Sequence, residues 1–188
     1  MAHRFAELAF TPEVRAAQQH YGSSGVGARM LASPDAQDRL GPHETSFLTA
    51  RDHFHLATVG SDGWPYVQFR GGPAGFVHVL DETTIGWADL RGNRQYISTG
   101  NLDPSGGARV AMIFMDHARP SRIKLLGTAR VIDAADDPEL AARLTVDGER
   151  GRVERSVLVD VEGYAWNCPQ HITPRFTLEE IERAAARG

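Results

Sequence analysis

Between Trp87 and Tyr96 the chain reads WADLRGNRQY. An Asp, two Arg, an Asn, a Gln and a Gly lie between two aromatics, after the strand-like run TTIGW (83–87) and before a segment of helical character. A helix N-terminus carries unpaired N–H groups and the positive end of its dipole, so it is a natural seat for an anion. In a helix running from about Asn93 to Thr99, the residues Asn93, Arg94 and Gln95 occupy the first turn, with Arg91 just ahead. Cations placed there cost roughly 0.3–1 kcal/mol each unless an anion offsets them. A bound phosphate would turn them into a charge-assisted clamp. The plain alternative is a pair of solvated arginines.

Two strand-like runs carry further donors. Strand side chains alternate between faces. In WPYVQFR (64–70), Val67 and Phe69 share one face, and Tyr66, Gln68 and Arg70 share the other. In RIKLLG (122–127), Ile123 and Leu125 take the core face, opposite Arg122 and Lys124, the sole lysine. Such rows fit either an ordinary solvated surface or a binding face. RGGPAGF (70–76) follows with two glycines and a proline where a strand should continue. This marks either a turn or a place where a flat ligand lies against bare backbone.

Other residues support weaker chemistry. WNCPQH (166–171) offers Trp166 as a stacking surface and Asn167, Gln170 and His171 as hydrogen-bonding groups; a loop pinned by a core Trp is the alternative. His53 and His55 share a strand face, but no third ligand lies nearby in sequence, so no metal is expected. Cys168 lacks a nearby base or helix start that would activate it. Neither Ser46 with His43 nor Ser98 with His117 has the spacing of a nucleophile elbow. GSSGVG (22–27) has no preceding strand and no following Lys-Ser/Thr, so it is a flexible connection rather than a phosphate loop.

The elements that must position these groups are mostly strands. FHLATVG and WPYVQFR join through Ser61-Asp62-Gly63 as a hairpin. GFVHVLD (75–81), TTIGWAD (83–89), RVAMIFM (109–115), RIKLLGTARVID (122–133) and SVLVDVEGYAW (156–166) follow, the pattern of an antiparallel barrel or sandwich. Thr11-Pro12-Glu13 opens a helix to about His20, and PHETSFLTARD (42–52) forms another. Asp136-Asp137-Pro138 opens a third, to about Val146, and TLEEIERAAARG (177–188) a fourth with a Thr cap and Glu180 three residues on. The chain has 188 residues, 41% of them hydrophobic, enough for one globular core. A net charge of −4 gives no basic field for nucleic acid. A single cysteine, no signal-like start and no apolar run longer than VAMIFM (110–115) predict a soluble, cytoplasmic protein without a membrane span.

QFRGGPAGF (68–76), ADLRGNRQY (88–96) and WNCPQHITPRF (166–176), with KLLGTARV (124–131), resemble the pyridoxamine 5′-phosphate oxidase-like family of flavin-binding split β-barrels, over about residues 45–180. The resemblance implies an α+β fold, a six-stranded antiparallel barrel with flanking helices, residues 43–188, carrying an N-terminal helical extension, residues 1–42. It implies a homodimer with FMN at the subunit interface. Asn93 and Arg94, beside Gln95, fall where the family holds the phosphate, with Arg122 and Lys124 facing the same group. Gln68, Arg70 and Gly71 fall beside the ring and ribityl chain, and Trp87, Ala88 and Asp89 beside the isoalloxazine. Trp166, Asn167, Gln170 and His171 belong to the segment expected to reach the pocket from the partner.

The activity so implied is an FMN-dependent oxidoreductase acting on a small molecule, with a nicotinamide or another donor. His171 and Tyr66 are the candidates for proton transfer. A flavin carrier or sensor, or a split barrel using F420 or haem, are the alternatives. The pyridoxamine oxidases proper carry an Arg and a Lys where Gln68 and Pro73 stand, and an Arg-Leu-x-Pro ending where this chain has an Ala-rich helix. Pyridoxamine phosphate is therefore not the expected substrate.

Overall fold

The computed structural model describes residues 3–102, 107–148 and 151–186. Helices α1 (Arg4–Ala9), α2 (Pro12–His20), α3 (Ser24–Leu31) and α4 (Pro42–Thr49) come first. Strands β1 (His53–Val59), β2 (Pro65–Gly71), β3 (His78–Val79) and β4 (Thr84–Leu90) follow, then α5 (Ile97–Asn101). After β5 (Ala108–Asp116) and β6 (Ser121–Asp133) come α6 (Pro138–Leu144), β7 (Val153–Asn167) and α7 (Leu178–Ala185).

All seven strands join one antiparallel sheet in the order β2-β1-β5-β6-β7-β4-β3. The fold class is the expected α+β. The sheet counts seven strands, the seventh being the two-residue β3 that GFVHVLD contributes. Alternation decides what fills the interior. Phe54, Leu56 and Thr58 point inward from β1, Val110, Met112 and Phe114 from β5, and Ile123, Leu125 and Ala129 from β6. Phe54 sits at the centre, its ring 5.7, 5.0 and 4.9 Å from those of Phe76, Trp87 and Phe114. Aromatic pairs of this kind add about 0.5–1.5 kcal/mol each beyond the area they bury.

Curvature enters through irregularities. The β6–β7 register shifts at Leu126/Gly127. A Cβ on Gly127 would lie 2.5 Å from the Asp160 carbonyl oxygen, so only glycine lets the two backbones approach there. Gly163 is similarly crowded, by the backbone of Phe5 at 2.8 Å. It lets α1 lie on β7 with Phe5 and Ala6 buried.

Three readings change. GSSGVG is not a loose connection, since Ser24 begins α3. The helix expected at Asn93–Thr99 covers Ile97–Asn101. The apolar pair on β2 does not face the core: Val67 and Phe69 are 61% and 56% exposed, while the polar face of that strand is partly buried. The helices at Thr11-Pro12, Asp137-Pro138 and Thr177 form as capped starts, each capping side chain accepting a backbone N–H. Among the described residues no helix is long and apolar enough to cross a membrane.

Glu44 fastens α4 to the end of β7. Its carboxylate accepts the Trp166 indole N–H at 2.8 Å and the Gly41 amide at 3.1 Å. Burial works to raise its pKa, but the hydrogen bonds led by Trp166 outweigh it and hold the carboxyl below the ordinary glutamate value. A depressed folded-state pKa stabilises above the unfolded value of about 4.3, and the contribution is lost as pH falls through the folded value. Glu44→Gln should therefore be less stable than wild type at pH 7, with the gap closing under acid. Urea unfolding of both proteins at pH 7 and near pH 3 checks this; an equal gap at both would refute it.

Candidate functional site

Strands β2 and β4 lie near opposite ends of the sheet order, and the curl of the barrel brings them face to face. Between them is a cavity of about 230 Å3. Tyr66, Gln68, Arg70 and Gly71 line it from β2, and Trp87, Ala88, Asp89 and Leu90 from β4. The loop through Gly92, Asn93, Arg94, Gln95 and Tyr96 forms one end, with Ile97, Ser98 and Thr99 of α5. Arg155, at the start of β7, completes the wall.

An ion cluster closes the split. Asp89 is 4% exposed. Its Oδ1 accepts from Arg70 Nη1 at 2.7 Å, and its Oδ2 accepts from Arg155 Nε and Nη2 at 3.0 and 2.9 Å. Arg155 also reaches Glu154 at 3.1 Å and stacks on the Tyr96 ring at 4.9 Å. Tyr96 donates its hydroxyl hydrogen to Glu154 at 3.0 Å. Burial presses the Arg155 pKa down, but hydrogen bonding and charge from Asp89 and Glu154 raise it above the ordinary arginine value.

Two further arginines face only partial compensation. Arg91 lies 3.6 Å from Glu154, which Arg155 already engages. Arg94 is exposed and pairs with no described residue. Four arginines against two acids leave two excess positive charges here, on a chain whose net charge is −4. Three pocket-lining residues also hold buried polar atoms without a partner among the described residues: Arg70 Nε, Trp87 Nε1 and Ser98 Oγ. An unsatisfied buried donor costs about 1–3 kcal/mol. Three around one cavity, all able to donate, fit an acceptor-rich anionic ligand.

The loop differs from the expected helical turn. Asn93 Oδ1 accepts the Gln95 amide at 3.0 Å, and Arg94 and Tyr96 have φ of 64° and 54°. A side chain that bonds its own backbone competes with the helix, and left-handed residues cannot continue one. Asn93, Arg94 and Gln95 therefore precede a five-residue helix, and its short dipole contributes little. The bare backbone expected at Gly71-Gly72 is also taken up by the protein. A Cβ on Gly71 would meet the Phe69 ring at 2.7 Å, and one on Gly72 the Phe76 side chain at 2.8 Å.

Of the residues singled out in the sequence, Tyr66, Gln68, Arg70, Gly71, Trp87, Ala88, Asp89, Asn93, Arg94 and Gln95 come together. Tyr66 already donates its hydroxyl hydrogen to Gln68 Oε1. Six others do not join them within one chain. Arg122 pairs in register with Asn167 on the β6–β7 ladder. Lys124 lies 5.1 Å from the Phe5 ring centroid, beside a separate apolar groove, and burial followed by Arg122 lowers its pKa. Trp166 is committed to Glu44. Gln170 and His171 are exposed beyond β7, His171 with φ of 68°. His53 and His55 gain a third imidazole, His117, at 6.1 Å from His53. Among the described residues, however, no group of three or more ligating side chains is arranged for a metal.

Sequence reasoning missed Arg155, Glu154, Ser98 and the role of Tyr96. Arg155 meets Asp89 only through the β4–β7 register. The one available signal was Glu154-Arg155 interrupting the apolar run that begins at Val153.

A barrel of this topology, split between two strands that frame a donor-lined cavity, defines a split-barrel protein. The sequence profile of the pyridoxamine 5′-phosphate oxidase family matches residues 40–160, and the chain belongs to that family. Its fold is similar to HupZ of Group A Streptococcus, at 18% identity over 72% of this chain and 99% of that one, with a TM-score of 0.53. A Lactobacillus delbrueckii protein provisionally named a pyridoxamine 5′-phosphate oxidase is similar at 22% identity over 68% and 94% of the two chains, with a TM-score of 0.50. At these identities the likeness extends to the fold. No curated protein matches the sequence.

Proposed function

We propose that this chain binds FMN in the β2–β4 cavity and works, as a homodimer, as an FMN-dependent oxidoreductase on a small molecule. The observation that carries this reading is the set of buried, unpartnered donors on Arg70, Trp87 and Ser98 around one cavity with excess positive charge. FMN presents ring carbonyls and a phosphate of about −1.5 to −2 charge, the ionisation of a phosphomonoester. Arg94 and Ser98 would hold the phosphate, and Arg70 and Trp87 would meet the ring. Bound flavin supplies hydride chemistry, and the protein orients it and tunes its electronics. Gln68 and Pro73 stand where the pyridoxamine oxidases carry basic residues, which argues against pyridoxamine phosphate as substrate.

Two features favour the homodimer. The cavity of one chain, at about 230 Å3, is smaller than the roughly 300–1,000 Å3 usual for ligand sites. The WNCPQHI segment lies outside it. A second copy would add both volume and that segment. Val59, Val67 and Phe69 are exposed beside the groove lined by Ala111, Ile113 and Leu126, a surface such a partner would cover. Phe69→Glu should shift the protein to a monomer in light scattering coupled to size exclusion, and weaken FMN binding with it. A dimer unaffected by that charge would place the interface elsewhere.

A carrier without turnover is the second reading. The observation favouring it is that the Tyr66 hydroxyl is engaged by Gln68 and His171 stands outside the cavity of its own chain. The deciding experiment is the visible spectrum of fresh protein, then anaerobic addition of NADH and NADPH. A flavin spectrum that bleaches supports the oxidoreductase. One that stays oxidised moves the assignment to a carrier or another electron donor. A colourless protein that binds no added FMN refutes both.

A further inference from the structure

We infer that Arg155 is a positioning residue for the cofactor ring: by occupying one oxygen of Asp89 it restricts Arg70 to the other, leaving Arg70 Nε free for the ligand. This rests on the FMN reading above. Arg155 lies outside every motif that carries the family resemblance, and it reaches the site only through the sheet register.

The geometry divides one carboxylate between two guanidinium groups. Asp89 Oδ2 is taken twice over, by Arg155 Nε and Nη2. Oδ1 remains for Arg70, which reaches it with Nη1 alone at 2.7 Å. Guanidinium and carboxylate prefer a two-pronged, side-on pairing. Arg70 is denied it because the two Arg155 donors already fill Oδ2, and its Nε is left buried without a partner among the described residues. Arg155 is itself immobilised from the far side by Glu154 and by the Tyr96 ring. Loop and strand therefore fix Arg155, Arg155 fixes Asp89, and Asp89 sets the angle of Arg70.

Removing Arg155 should release that angle. With Oδ2 vacant, Arg70 can turn to pair with both oxygens of Asp89 through Nε and an Nη, committing Nε to the protein. A donor beside the flavin ring stabilises the negative charge of the reduced form more than the neutral oxidised form. Its loss should weaken binding of reduced FMN about tenfold more than binding of oxidised FMN. For a two-electron couple that lowers the potential by about 30 mV.

The test compares wild type, Arg155→Met and Arg155→Lys. The readouts are the FMN dissociation constant from fluorescence quenching and the potential of bound FMN from equilibration with a reference dye. Arg155→Met should lower the potential as stated. Arg155→Lys keeps the charge but offers no two-pronged contact, so it should fall between Met and wild type. A purely structural role would move the melting temperature and leave the potential of the folded, FMN-loaded protein alone. That result, with wild-type potentials in both variants, would overturn the inference while leaving the FMN reading intact. If Arg155→Met does not fold, the Lys variant decides by the same criterion. Failure of wild type to bind FMN would overturn the reading and this inference together.

Discussion

Asp89→Asn should destabilise the protein by about 3–5 kcal/mol, the usual cost of removing one partner from a buried ion pair. The substitution barely changes volume, so packing cannot account for a loss of that size. It leaves Arg70 and Arg155 within reach of one another without the carboxylate between them. Arg155 keeps Glu154, but Arg70 keeps no acidic partner among the described residues. The loss also opens the split, because Arg70–Asp89 is an ion pair between two strands that share no ladder. Urea unfolding measures it directly. An unchanged slope with a lower midpoint is the expected pattern, since the surface exposed on unfolding stays the same. A change below about 0.5 kcal/mol, the range of ordinary surface substitutions, would mean that water reaches the cluster and screens it.

Arg94→Ala should do the opposite, harming the ligand and sparing the fold. Arg94 is exposed and pairs with no described residue, so truncating it breaks no ion pair or hydrogen bond among them. Hydrogen bonds to charged groups contribute about 1.5–3 kcal/mol, which corresponds to a roughly ten- to hundredfold rise in the FMN dissociation constant. The affinity of the variant should also depend less on salt, because one cation has left the phosphate site. Titration of the apo-protein at two ionic strengths, beside a melting curve, tests both parts. Unchanged affinity would remove Arg94 from the phosphate site and leave the loop's arginines as solvated charges.

The two variants separate what the site's charges do. Asp89 and Glu154 balance the charges of Arg70 and Arg155, and the orientation of that group is what reaches the ligand. Arg94 and Arg91 supply the net positive charge. The polar residues of WADLRGNRQY thus have two roles. Its Asp is a structural anion that joins two strands sharing no ladder, and its second Arg is an exposed cation at the cavity that pairs with no described residue.

Much of this was legible in the linear chain. Period-two alternation assigned Ile123 and Leu125 to the inward face of β6 correctly, because that strand has one face in a single core. It also grouped Tyr66, Gln68 and Arg70 on one face, and the crowding of donors in residues 87–96 located one wall of the cavity. Capped helix starts at Thr11, Asp137 and Thr177 formed where Ser/Thr/Asp and Pro chemistry placed them, since a cap is a contact between residues three apart. The tertiary structure decided everything that depends on distance along the chain. Which face of β2 turns inward depends on the cavity opposite it, and there the polar face won over Val67 and Phe69. Asn93 left the helix because its side chain bonds the backbone two residues on, a competition that propensity alone does not resolve. Arg155 joined Asp89 from 66 residues away because β4 and β7 pair in one register, and a register is set by the whole hydrophobic pattern of both strands rather than by any local motif.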